Sequence, residues 1–173
     1  SAPLKSTFVS EIAKKVSEKI KNIEIVNDAP EILALIDVVT LSIKLDNRSV
    51  FLYTRYRKLE RGIPQTRWPC RACKGRNGGC ESCNGTGLQY ETSVQDLIGN
   101  PLLEIFGAVD HSSHSMGRED IDVRCLGRGR PTVIEMKKPR KRNIDFEKVT
   151  KIVNKAANGL MEIETFRISN RSE

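Results

Sequence analysis

A chain of 173 residues with 38% hydrophobic and 5% aromatic side chains can bury one good core or two small ones. No stretch approaches the roughly 18 apolar residues of a membrane span and no signal peptide opens it, so a soluble, cytoplasmic, non-membrane protein is expected. Lys and Arg number 29 against 22 Asp and Glu, a net charge of +7, and the basic residues are clustered, which points to a polyanionic partner.

Phe8, Ile12, Val16 and Ile20 recur every four residues among lysines and glutamates, the pattern of an amphipathic helix. Asn27-Asp28-Ala29-Pro30 breaks it. Ile32 to Val39 and Leu41 to Leu45 are short apolar runs suited to a hairpin, followed by the turn Asp46-Asn47-Arg48-Ser49. Val50 to Tyr53 begins another strand. Nothing in this small α+β unit has a catalytic pattern; packing or RNA docking suits it.

From Arg55 the chain becomes basic, with Arg57, Lys58, Arg61, Arg67, Arg71, Lys74 and Arg76 interleaved with Tyr53, Tyr56 and Trp68. Basic groups hold phosphates and aromatics stack on splayed bases of single-stranded RNA, so Arg55, Tyr56 and Arg57 are candidate substrate contacts.

Cys70, Cys73, Cys80 and Cys83 give C-x2-C-x6-C-x2-C. Two tight turns of this kind can gather four thiolates around one zinc ion, and glycines 75, 78, 79, 85 and 87 supply the backbone angles needed. Arg71, Lys74 and Arg76 partly offset the excess negative charge. Disulfides would need an oxidising compartment, and a redox pair would need one C-x2-C in a βαβ context. A structural zinc knuckle is expected, with no open ligand position. The local wording also resembles the cysteine-rich modules of Hsp40-type chaperones, which carry more such repeats. Cys125 stands apart and is expected to pack.

Thr92 or Ser93 can cap a helix through Val94, Leu97 and Ile98, and Asn100-Pro101 can restart it as far as Gly107. Asp110 to Met116 reads as a mobile polar loop in which His111 and His114 have no role. Gly117 to Arg124 reads as a strand, with Asp120, Asp122 and Arg124 on one face and Ile121 and Val123 on the other. After a turn at Leu126 to Pro131, Thr132 to Lys137 forms its hairpin partner. Arg124, Lys137, Lys138 and Arg140 are candidate RNA contacts. Asp145 can cap a last helix burying Val149, Ile152, Val153 and Ala156, and Leu160 to Ile168 reads as one more strand.

Two chemistries fit the carboxylates. A magnesium-dependent nuclease would use Asp120 or Asp122 (Asp122 in the reading favoured here) with Glu135 and Lys137, two carboxylates for the metal and a lysine beside the attacking water. The other is isomerisation of uridine. Gly117-Arg118-Glu119-Asp120 resembles the G-R-x-D motif of pseudouridine synthases. The wider wording, Arg55 to Cys70, the paired C-x2-C, Glu91 to Val94, and Gly117 to Arg124 with Leu126 to Pro131, is similar to the archaeal and eukaryotic family that makes tRNA pseudouridine in the TΨC arm.

That resemblance implies a mixed α+β chain in three parts: a partial THUMP-like RNA-binding unit at 1–54, a basic linker and zinc knuckle at 55–90, and the first part of a pseudouridine synthase catalytic domain at 91–173. It implies Asp120 as the catalytic carboxylate that assists C1′–N1 cleavage and C1′–C5 formation, on a uridine flipped from its stack. Arg118 would help fill the vacated space, and Asp122 would form a salt bridge with Arg124. No organic cofactor and no obligate protein partner are implied; tRNA is the partner. The family also uses a base-stacking Tyr or Phe and a basic residue downstream of the aspartate. After Tyr90 the chain has no tyrosine, and Phe146 and Phe166 are poor substitutes, so a fragment or shortened relative is expected. A non-catalytic, zinc-containing tRNA-binding module is the alternative within the same resemblance.

Overall fold

In a computed structural model, residues 3–171 are described, and the chain divides into two compact units, one up to Leu45 and one from Asp46 onward. The first holds helix α1 (Leu4–Lys19) and most of a two-stranded hairpin, β1 (Ile32–Asp37) with β2 (Ser42–Asn47), whose last two residues belong to the second unit. Asp37 closes the hairpin turn by accepting from the backbone N–H groups of Val39 and Thr40. The helix buries none of its residues, and the hairpin leaves Leu35, Val39 and Leu45 exposed.

The second unit is built on β3 (Val50–Lys58), whose side chains alternate strictly between the two faces. Val50, Leu52, Thr54, Tyr56 and Lys58 point inward, whereas Phe51, Tyr53, Arg55 and Arg57 point outward. This strand runs through residue 54 without a break. It pairs antiparallel with β5 (Cys125–Lys137) along one side and with β6 (Met161–Ile163) and β7 (Arg167–Ser169) along the other. The far neighbour of β5 is β4 (Asp110–Ser115). Helices α2 (Val94–Phe106) and α3 (Phe146–Ala156) supply Ile98, Leu102, Phe106, Val149 and Val153 to a core shared with Leu52, Ile134 and Met136. The architecture is thus mixed α and β with antiparallel sheets.

Several expectations need correcting. Pro101 does not divide α2: its missing N–H costs one ladder bond, and the continuous buried row Ile98, Leu102 and Phe106 outweighs it. Ser93 is the cap, its hydroxyl accepting from the Asp96 N–H, and Gly107 closes the helix in the left-handed conformation. Asp110 to Ser115 is a strand rather than a loop. Its backbone is satisfied by β5, and Ser113 and Ser115 share the Thr132 hydroxyl. His111 on that strand is buried, within 2.9 Å of Asn100 Oδ1 and 2.8 Å of an Arg67 guanidinium nitrogen. Burial, with Arg67 adding to it, holds its imidazole below the ordinary histidine value. The ring lies where a Cβ on Gly99 would sit, 2.3–2.4 Å away, which explains a glycine inside α2.

Leu126 to Pro131 is not a hairpin turn but part of the long strand β5. Between the pairs Tyr56↔Arg130 and Lys58↔Cys125, β5 advances five residues while β3 advances two, a bulge of three residues. In α3, Asp145 caps as expected and Val149 and Val153 are buried. Ile152 and Ala156 face outward, and Ala157 takes the inward position. The final strand is interrupted: Glu164 turns its carbonyl to the Thr54 hydroxyl and Phe166 inserts into the core, leaving two short strands instead of one.

Candidate functional site and metal knuckle

Gly117 to Arg124, expected as a strand, is an irregular loop. Its carbonyls, which a sheet partner would otherwise occupy, are taken by side chains from β3 and the segment after it. Lys58, at the inner end of the β3 row, is fully buried. Its ammonium donates to the carbonyls of Ile63 (2.9 Å), Asp120 (3.1 Å) and Ile121 (3.2 Å), which uses all three of its protons. Arg61 donates to the Asp122 carbonyl, Gln65 to that of Gly117, and the Gly62 N–H to that of Ile121.

A buried ammonium needs a counter-charge, and Glu119 supplies it. Its side chain is only 4% exposed; its carboxylate lies 3.9 Å from the Lys58 ammonium and 2.8 Å from the Arg130 guanidinium. Tyr56 donates its hydroxyl to the same carboxylate and accepts from Gln65. Burial pulls the Lys58 ammonium below the usual lysine value, and the Glu119 carboxylate opposes that shift. Burial, aided by Glu119, pushes the Tyr56 phenol well above its ordinary value, so it stays a donor.

Glu119 points into this network, and the two residues flanking it in the loop are exposed. Arg118, Asp120 and Asp122 line an open cleft of about 410 Å³ whose other wall includes Gln65, Thr66 and Trp68. The Asp120 side chain has no hydrogen bond or ion pair among the described residues. The loop therefore presents an ionisable carboxylate on a backbone fixed from beneath. Asp122 and Arg124 form no ion pair among the described residues, contrary to expectation; the Asp122 carbonyl is held by Arg61 instead.

The remaining basic residues are not gathered at this cleft. Arg55 spans the bulge, donating to the carbonyls of Arg128 and Gly129. Arg57 pairs with Glu162 and Lys137 with Asp110. Arg124, Lys138 and Arg140 are exposed. Tyr56, a candidate base contact, is fully buried and unable to stack on RNA. Phe166 is in the core and Phe146 packs against it.

The nuclease constellation is not assembled. Glu135 is occupied by Ser49 (2.7 Å) and His114 (2.9 Å), and Lys137 by Asp110 (3.0 Å). Glu135 faces Phe51 whereas Cys125 faces Lys58. Seven residue steps along β3 separate those positions, roughly 23 Å, and Asp122 precedes Cys125 at the far end.

The four cysteines do converge. Cys70 Sγ lies 3.9 Å from Cys80 Sγ, Cys73 Sγ 3.9 Å from Cys83 Sγ, and Cys80 Sγ 3.7 Å from Cys83 Sγ. A tetrahedron with metal–sulfur bonds of about 2.3 Å has edges of about 3.8 Å, whereas bonded sulfurs lie about 2.0 Å apart. The spacing fits a metal site and excludes disulfides. Backbone N–H groups of Cys80 and Gly87 point at Cys83 Sγ (3.1 and 3.2 Å) and bring its thiol down to about 6, against the effect of burial. Gly79 is required because a Cβ there would lie 2.4–2.7 Å from the Gly85 backbone. Among the described residues this is the sole cluster of three or more potential metal ligands.

Sequence reasoning missed Glu119, Lys58, Gln65 and Arg130. The signal for Lys58 was available: the period-two pattern begun at Val50 continues unbroken to it.

Residues 51–173 match the family model described as Pus10, C-terminal. A protein of Methanocaldococcus jannaschii named tRNA pseudouridine synthase Pus10 is 47% identical over 83% of this chain and 31% of its own length. A protein of the same name from Methanothermobacter marburgensis is 43% identical over 84% of the chain and 36% of its own length. Another, from Methanothrix thermoacetophila, is 39% identical over 98% of the chain and 37% of its own length. The chain thus spans about a third of the length of these curated relatives.

Proposed function

The chain belongs to the Pus10 C-terminal family, and from that premise we propose that it is a section of a tRNA pseudouridine synthase acting on a uridine of the TΨC arm. One observation carries the reading: the aspartate in the G-R-x-D position, Asp120, is exposed in a cleft on a loop fixed by the buried Lys58–Glu119 pair. A positioned carboxylate of this kind can serve as nucleophile or stabilise the charge that develops at C1′ when the glycosidic bond breaks. The flipped uridine would enter the cleft beside Arg118, with the base-stacking aromatic and the aspartate's basic partner supplied from outside this section. Arg124, Lys138 and Arg140, exposed and basic, are the residues we assign to tRNA phosphates. The N-terminal α+β unit is assigned as the THUMP-like RNA-binding part, in a cytoplasmic enzyme.

The test is incubation of the intact enzyme with an unmodified tRNA transcript. Pseudouridine should form without loss of strand integrity and without added magnesium. Strand scission, or binding with no isomerised uridine, would overturn the proposal.

Zinc is the ion we assign to the knuckle, held by Cys70, Cys73, Cys80 and Cys83. With all four positions filled by protein, it supplies stability and no reacting group. Metal analysis of the purified protein should find about one zinc per chain from this site, and Cys83→Ser should lose it. A metal-free preparation whose knuckle resists proteolysis as the native one does would rule the site out.

A further inference from the structure

The knuckle and the Asp120 cleft are joined by a very short piece of chain. Trp68 lines the cleft, and Cys70, the first metal ligand, is two residues away. The strand-like contact that closes the base of the knuckle, Pro69 against Leu88, lies between them. It is reinforced on either side by Cys70 N–H to the Gly87 carbonyl and Gln89 N–H to the Trp68 carbonyl, each 2.8 Å. Trp68 is the sole tryptophan of the chain, and it is partly exposed although indole is a large apolar group. Tyr90, from the segment leaving the knuckle, packs edge-on against it with ring centroids 5.6 Å apart at 79°. An edge-to-face partner steadies a ring without covering both of its faces. Arg67 beside it is paired with Asp96 and Asp110, while Arg61 and Arg71, nearby in sequence and exposed, supply charge that brings a phosphate backbone near.

We propose that Trp68 is a substrate-binding residue, stacking on a nucleotide beside the uridine delivered to Asp120, and that the metal knuckle exists to hold it there. The proposal rests on the assignment of the cleft to an RNA substrate. Four bonded cysteines fix Cys70, and the Pro69–Leu88 and Trp68–Gln89 contacts carry that constraint to the indole. Without metal, the turns holding Cys70 and Cys83 have no cross-link, and Trp68 and Tyr90 lose their fixed separation.

The experiment uses the intact enzyme with tRNA, measuring affinity and product separately, in wild type and in Trp68→Ala, Trp68→Phe and Asp120→Asn variants. Trp68→Ala should weaken tRNA binding by about tenfold, the size of one base–aromatic stack, and Trp68→Phe should recover most of it. Stripping the metal with a chelator should weaken wild-type binding by a similar factor and weaken Trp68→Ala by less than about twofold, since the same contact is already lost. If Trp68→Ala binds as wild type does, the stacking role is refuted. If metal removal weakens both proteins equally, the link between knuckle and indole is refuted. Retained affinity in Trp68→Ala with product lost in Asp120→Asn would sink this inference and leave the assigned activity standing. Product unaffected in Asp120→Asn would sink the role given to Asp120, and wild-type enzyme that binds tRNA without isomerising it would sink the activity instead.

Discussion

Asp120→Asn in the intact enzyme should abolish pseudouridine formation, by at least about a thousandfold, roughly 4 kcal/mol of transition-state stabilisation, while tRNA affinity changes less than about twofold. The substitution keeps size and shape and removes only the charge. The Asp120 side chain pairs with no described residue, so nothing in the fold depends on that charge. Its backbone carbonyl, which Lys58 holds, is unchanged by the substitution. Stability should therefore stay within about 0.5 kcal/mol of wild type, as for exposed positions generally. A variant that still turns over, or one that loses tRNA binding as well, would show that Asp120 does something other than chemistry. Single-turnover quantification of pseudouridine alongside a binding isotherm gives both numbers from one preparation.

Glu119→Ala should have the opposite profile, acting on the fold first. The Glu119 carboxylate is the counter-charge for a buried ammonium and a guanidinium and the acceptor for the Tyr56 hydroxyl. Removing one partner of a buried ion pair strands the other, at a cost of about 3–5 kcal/mol. Urea unfolding should register that loss. Glu119→Gln, which keeps an acceptor for Tyr56, should cost less than the alanine substitution. Because Lys58 also holds the Asp120 and Ile121 carbonyls, the surviving folded fraction should show a lower kcat as the loop loosens. An alanine variant within about 1 kcal/mol of wild type would mean that water reaches Lys58 and that the network is dispensable.

The elements with strong local signals were legible from sequence. The period of four in the first helix, the caps Ser93 and Asp145, the left-handed Gly107 and the paired C-x2-C motifs all act within a few residues, and sequence displays such interactions directly. Gly117 to Arg124 was misread because its conformation is decided from elsewhere. Ile121 and Val123 favour a strand locally, yet Lys58, Arg61 and Gln65 take the carbonyls a strand would need. The polar segment Asp110 to Ser115 failed in the other direction. Its serines and histidines argue for a loop until Thr132, Asn100 and Glu135 satisfy them. Tyr56 was grouped with Arg55 and Arg57 by proximity in sequence, although period-two alternation assigns it to the opposite face. Asp120 was found by wording alone. The reason it is presented, the inward turn of Glu119 beside it, depends on a lysine 61 residues earlier.

The central position of β3 also bears on how the chain comes to fold as it is made. Phe51 waits for Ser169, a separation of 118 residues, and Tyr56 for both Arg130 and Ile163. Neither flank of this strand has a partner nearby in sequence, so both ladders close over long loops, which slows folding. During synthesis the strand leaves the ribosome long before its mates and remains an unpaired, half-apolar edge throughout. Lys58 is then an ordinary solvated lysine. It becomes buried only when Glu119 arrives, so assembly of the Asp120 loop and closure of the sheet are parts of one late event. A nascent chain halted before residue 161 would lack one entire flank of β3 and would be a natural substrate for chaperones or proteases.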